Sequence, residues 1–122
     1  MAKENRLADM SMNFAVEALH FCEMIHGHYS LVDQLERSAT GVGANIREAQ
    51  YAHSRADFIS KLQIALKVCS ESEYWLELFV KAGYVSEDTV AQLFTLCKQT
   101  RYLLIASINT AKNGSKNEHL DG

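Results

Sequence analysis

Residues 54–83 read SRADFISKLQIALKVCSESEYWLELFVKAG. Within them Phe58, Leu62, Ala65, Cys69, Ser72, Leu76 and Phe79 recur at alternating spacings of four and three. That period puts all seven on one side of an α-helix, in a heptad-like seam. Ser54 with Asp57 three residues on has the form of a capping box, and Gly83 is a left-handed stop. Further apolar groups lie off the seam: Ile59, Ile64, Leu66, Val68, Trp75, Leu78 and Val80. A helix apolar on more than one face is buried on more than one face. In a domain this small, the second face predicts either a subunit interface or a wide core stripe.

Working outward, three more helices follow from the same period. Leu7, Met10, Phe14, Ala18, Phe21 and Ile25 form one apolar face, which ends at Gly27. Ser30 is placed to cap the next helix, with Asp33 as its capping-box partner. That helix buries Leu31, Leu35, Ala39, Val42, Ile46 and Ala49. Ser86 caps the last helix, with Glu87 and Asp88 in its first turn, where the helix dipole favours anions. Its face is Val90, Leu93, Cys97, Leu104, Ile108 and Ala111. Short connections make successive helices antiparallel neighbours. The expectation is an all-α, up-down-up-down antiparallel four-helix bundle over residues 1–112, followed by a polar, disordered tail over 113–122.

The second helix is unusual in its middle. Residues 38–45, Ser-Ala-Thr-Gly-Val-Gly-Ala-Asn, are small or polar throughout. Two glycines inside a helix cost about 1–2 kcal/mol of propensity relative to alanine. Small residues let a neighbouring helix come close, which is the expected compensation.

Composition narrows the function. The chain has 122 residues and no proline, where average usage predicts about six. Unkinked helices fit that absence. Twelve basic and fifteen acidic side chains give a net charge of -3. By segment the charge is -2 over 1–27, -1 over 28–53, and zero over 54–84 and 85–122. No segment is basic, so any anion-binding surface has to be assembled by folding or by oligomerisation. Cys22, Cys69 and Cys97 are odd in number and widely spaced, which reads as buried free thiols. No apolar run is long enough to span a bilayer and the N-terminus has no signal-like region, so a cytoplasmic, non-membrane protein is expected.

Residues 37–49, Arg37-Ser38-Ala39-Thr40-Gly41-Val42-Gly43-Ala44-Asn45-Ile46-Arg47-Glu48-Ala49, are followed by Asp57-Phe58-Ile59, then by 61–67, Glu71, Tyr74-Trp75-Leu76 and Gly83-Tyr84-Val85. This pattern resembles the bacterial four-helix-bundle family encoded in intervening sequences of the large-subunit (23S) ribosomal RNA gene, formerly labelled a ribosomal protein. The resemblance implies a bundle that assembles into a barrel-like homopentamer, with no established enzymatic activity. The family is similar to the accessory variability protein of diversity-generating retroelements, which works with a reverse transcriptase and contacts nucleic acid. This chain departs from the pattern at Gly41, where serine is more usual, and at Arg47, where a small apolar residue is more usual. It also lacks a proline often found in the first loop.

The candidate oligomer and packing residues are therefore Arg37, Ser38, Thr40, Gly41, Gly43, Asn45, Glu48 and Trp75. Asn45 sits one residue from the apolar stripe and is expected to fix helix register or subunit geometry. Arg37 and Glu48 are eleven apart and share a face, where they can pair with other helices or subunits. Arg47, His53, Arg55 and Lys61 are the weaker candidates for nucleic-acid contact. Arg47 and His53 also have an Arg-x5-His spacing used by metal-free ribonucleases, in which arginine holds phosphate and histidine moves the proton.

Metal chemistry is not expected. Glu17-Ala18-Leu19-His20 and Glu23-Met24-Ile25-His26 match the Glu-x-x-His spacing of di-iron bundles, but both lie on one helix. Cys22 and His26 supply only two ligands. Gly41-Val42-Gly43 lies inside a helix, without the strand or lysine of a phosphate loop. The expectation is a non-enzymatic, cofactor-free, oligomeric scaffold or adaptor, associated with RNA or a nucleic-acid enzyme. A metal-free ribonuclease is the alternative.

Overall fold

A computed structural model describes residues 2–121, with side chains described for residues 6–114. Four helices fill it: α1 (Ala2–Met24), α2 (Tyr29–Gln50), α3 (Arg55–Lys81) and α4 (Glu87–Asp121). No strand occurs among the described residues. The helices form a four-cornered bundle in which α1 and α3 each pack on α2 and α4, while the diagonal helices meet only through core side chains such as Phe21 and Phe79. The pairings are antiparallel. Ser11 lies opposite Gly43 and Cys22 opposite Val32, Ser38 meets Ser72, and Cys69 meets Cys97. Of the expected polar tail over 113–122, most lies outside the residues whose side chains are described.

The core is the set of faces read from periodicity. Phe14, Ala18, Leu35, Ala39, Val42, Ala65, Cys69, Leu76, Phe79, Cys97 and Leu104 are fully buried. Ser11, Ser38, Ser72 and Thr100 are buried with them. Each satisfies its hydroxyl on a carbonyl one turn earlier in its own helix, which makes its burial affordable.

The helix ends show why the chain needs no proline. At α3, the Asp57 N–H donates to Ser54 Oγ at 3.1 Å, and the His53 N–H donates to Asp57 Oδ2 at 3.2 Å. The expected capping box is thus present, with its return bond shifted by one residue. At the other end, Gly83 adopts φ +79°. Its N–H donates to Val80 O and the Tyr84 N–H donates to Phe79 O, at 3.0 and 2.9 Å. These are the two bonds of a Schellman stop, and the Tyr84 ring packs on Phe79 beneath it. Ser86 caps α4 by accepting from the Thr89 N–H at 3.2 Å.

The expected Ser30 cap of α2 is corrected. The helix starts at Tyr29, and its N-cap is His28, at φ 55° and with no side-chain cap bond. Gly27 and His28 are both left-handed, and together they reverse the chain. Histidine tolerates that conformation better than most residues, though at a cost. Here its ring stacks on Tyr84 with centroids 3.6 Å apart and planes 16° apart. Asp33, freed from capping, pairs instead with Arg37 at 3.1 Å.

Candidate functional site

The chemistry-bearing positions gather on both flanks of α2. On the α1 side, a shallow groove of about 330 Å³ is lined by Ala8, Ser11, Met12, Gly43, Ala44 and Arg47, among others. Gly43 sits at its floor. A Cβ added there would stand 3.5 Å from Ser11 Oγ and 3.8 Å from Ser11 O, an ordinary van der Waals fit. Met12, 54% exposed, and Val16 project from α1 beside it.

On the α3 side, a Cβ at Gly41 would meet Val68 Cγ2 at 3.7 Å, again without strain. The expected need for glycine at a close helix approach is not visible at either position. Alanine would fit at either position, so packing within the protomer does not explain the helix propensity they forgo. Of α3's off-seam residues, Ile59, Leu66, Val68, Trp75 and Val80 are half-buried against the core, which is the wide-stripe outcome. Ile64 is different: it stands 41% exposed, one turn from Val68.

Ser38 is buried in the α2–α3 contact. It donates to Leu35 O at 3.1 Å and lies 2.9 Å from Ser72 Oγ, whose one proton is shared between Ser38 Oγ and Val68 O. Thr40 donates to Glu36 O at 2.8 Å. Asn45 is half-buried, and its Nδ2 donates to Gly41 O at 2.8 Å, one turn back in the same helix. Arg37 and Glu48 share α2 but have separate partners: Asp33 for Arg37, and Lys61 Nζ at 3.6 Å for Glu48. Trp75 packs edge-on against Tyr74, and its buried Nε1 has no acceptor among the described residues.

A family model described as the 23S rRNA-intervening sequence protein matches residues 3–106. The chain belongs to that family. A similar solved structure is that of a protein of unknown function from the S23 ribosomal protein family, from Bacteroides thetaiotaomicron VPI-5482. It is 39% identical, with a TM-score of 0.83, and the match covers 88% of this chain and 98% of that one. No curated protein matches the chain.

The weaker candidates lie toward one end of the bundle, around the α2–α3 turn. Arg47 is exposed in the last turn of α2, and His53 is exposed in the turn itself. Arg47 lines the α1/α2 groove and His53 does not. Arg55 Nη1 donates to Ala111 O of α4 at 3.2 Å, and Lys61 is paired with Glu48. Tyr51, 78% exposed, adds an aromatic ring to the same end. No group of three metal-ligating side chains occurs among the described residues. No helix there is long and apolar enough to cross a membrane.

Two features escaped the sequence reading. The His28–Tyr84 stack joins two turns far apart in the chain. Cys69 and Cys97 meet in the core with their sulfurs 3.9 Å apart. Each was legible as a position, on a turn or on an apolar face, but neither pairing has a local signature.

Proposed function

We propose that the protein is a non-enzymatic assembly module whose flanks around α2 pack against further copies of the same chain. The observation that carries this reading is the pair of glycines. Gly41 and Gly43 together forgo about 1–2 kcal/mol of helix propensity at positions where the protomer would accept alanine. A second chain approaching closely over them would recover that cost. The apolar side chains such a chain would cover are present on either side, Met12 and Val16 on α1 and Ile64 on α3.

A closed ring needs two unlike surfaces on each subunit, joined head to tail. The α1 flank carries the groove and the α3 flank carries the exposed Ile64, so the two are unlike, which favours a ring over a twofold dimer. The family resemblance suggests five copies. A stable interface needs about 800 Å² from each partner. Gly43→Leu, which fills the α1/α2 groove, is expected to weaken assembly, while Gly41→Ala and Gly43→Ala raise the protomer's helix propensity. Light scattering at micromolar concentration, with a thermal melt on each variant, checks both. If Gly43→Leu assembles like the wild type, the groove is not an interface.

The nucleic-acid part of the proposal places RNA, or an enzyme acting on nucleic acid, at the end of the bundle carrying Arg47, Tyr51, His53 and Arg55. Exposed guanidinium and aromatic groups serve phosphate and base stacking. A net charge of -3 makes this a local contact that repetition around a ring would multiply. Filter binding across a salt series tests it, since phosphate contacts lose affinity steeply with salt. The ribonuclease alternative has weaker support, because His53 is not among the residues lining the groove that Arg47 lines. Equal RNA cleavage by wild type and His53→Ala would remove it.

A further inference from the structure

We propose that Cys69 and Cys97 are a redox pair, which a hydroperoxide oxidises to a disulfide tying α3 to α4. Both residues are fully buried, and their sulfurs are 3.9 Å apart. Cys69 Sγ donates to Cys97 O at 3.4 Å, and Cys97 Sγ donates to Cys69 O at 3.5 Å. Each sulfur therefore lies against the backbone of the other residue. That reciprocity requires the two helix backbones to be close at this crossing, as a disulfide also does. The sulfurs need to approach by roughly 1.9 Å to reach bonding distance.

The two thiols are not equivalent. The contact between the sulfurs lowers the pKa of Cys69 and raises that of Cys97, with burial adding to the rise at Cys97. Glu73 and Arg101 are the charged groups beside them, 3.4 Å from each other. Either cysteine can attack first with the same balance, here Cys69. Its thiolate attacks a peroxide oxygen, the O–O bond breaks, and a water leaves once the departing oxygen takes up a proton. Cys97 then attacks the resulting sulfenic sulfur, the S–S bond forms, the S–O bond breaks, and a second water leaves. The two thiols lose two electrons and two protons, and hydrogen peroxide is reduced to two waters. Burial makes the reaction depend on opening at the α3–α4 crossing. Cys22 stands apart on α1, its Sγ facing Val32 O at 3.9 Å. Burial pushes its thiol up to about 11, with Glu36 adding to the shift.

The test exposes the native full chain to hydrogen peroxide, blocks remaining thiols with N-ethylmaleimide in denaturant, and digests with trypsin without reductant. Cleavage after Lys67, Lys81 and Lys98 separates Cys69, on residues 68–81, from Cys97, on residues 82–98. The expected product is these two peptides linked and lighter than their sum by two hydrogens. Dithiothreitol should separate them, and Cys22 should be recovered alkylated. On a non-reducing gel the oxidised protein should remain a single chain. Cys69→Ala and Cys97→Ala should each abolish the linked species. Recovery of both cysteines alkylated, their separate conversion to oxygenated acids, or a link to Cys22 or between chains would overturn the proposal.

Discussion

Ile64→Glu is expected to convert the assembled protein into folded protomers of 13.7 kDa. Ile64 stands 41% exposed on α3, outside the core, so the substitution removes little protomer packing. On the protomer surface the new carboxylate lies three residues from Lys61 and from Lys67, spacings that suit helix ion pairs. In the proposed interface it would instead be an unpaired buried charge, costing about 3–5 kcal/mol per contact. That corresponds to a roughly 10²- to 10⁴-fold weaker association. Sedimentation velocity reads the mass, and circular dichroism checks that the helices persist. An unchanged mass would show that Ile64 lies outside any interface.

The second large effect concerns the core. Phe79→Ala should destabilise the fold by about 3–5 kcal/mol. Phe79 is fully buried, its ring 6.3 Å from that of Phe21 across the bundle and 6.0 Å from that of Tyr84. It also supplies the carbonyl that accepts the Tyr84 N–H in the Schellman stop. Removing the ring leaves a cavity under the α3–α4 turn and takes away the hydrophobic contact that goes with that stop. Domains of this size have about 5–15 kcal/mol in total. Urea unfolding at matched protein concentration should show a much lower midpoint. A loss below about 1 kcal/mol would mean that neighbouring side chains collapse into the space.

What could be read from the sequence follows the range of the interactions. The α3 seam from Leu62 to Phe79 was legible because helical period is a local property, and each of its residues there is buried. Ser54, Gly83 and Ser86 were legible because caps act within one turn. Ser30 misled because the true N-cap, His28, is left-handed and rests on Tyr84, far along the chain. No local signal marks that partner. Ser72 read as a seam residue and Ser38 as one of the small residues in the middle of α2, but their mutual bond depends on the register between α2 and α3. Asn45 shows the converse. Expected to fix helix register or subunit geometry, it donates through Nδ2 to Gly41 O in its own helix, a bond its spacing alone does not announce. Family membership was legible in residues 37–49 and in the third helix. An interface is less legible, because an exposed apolar residue such as Ile64 has the same spacing whether water or another subunit covers it.

Native mass spectrometry of the full chain at micromolar concentration tests the central claim most directly. Self-assembly through the two flanks of α2 predicts a discrete multiple of the 13.7 kDa chain mass, with five copies favoured. A protomer of 13.7 kDa as the only species would contradict it.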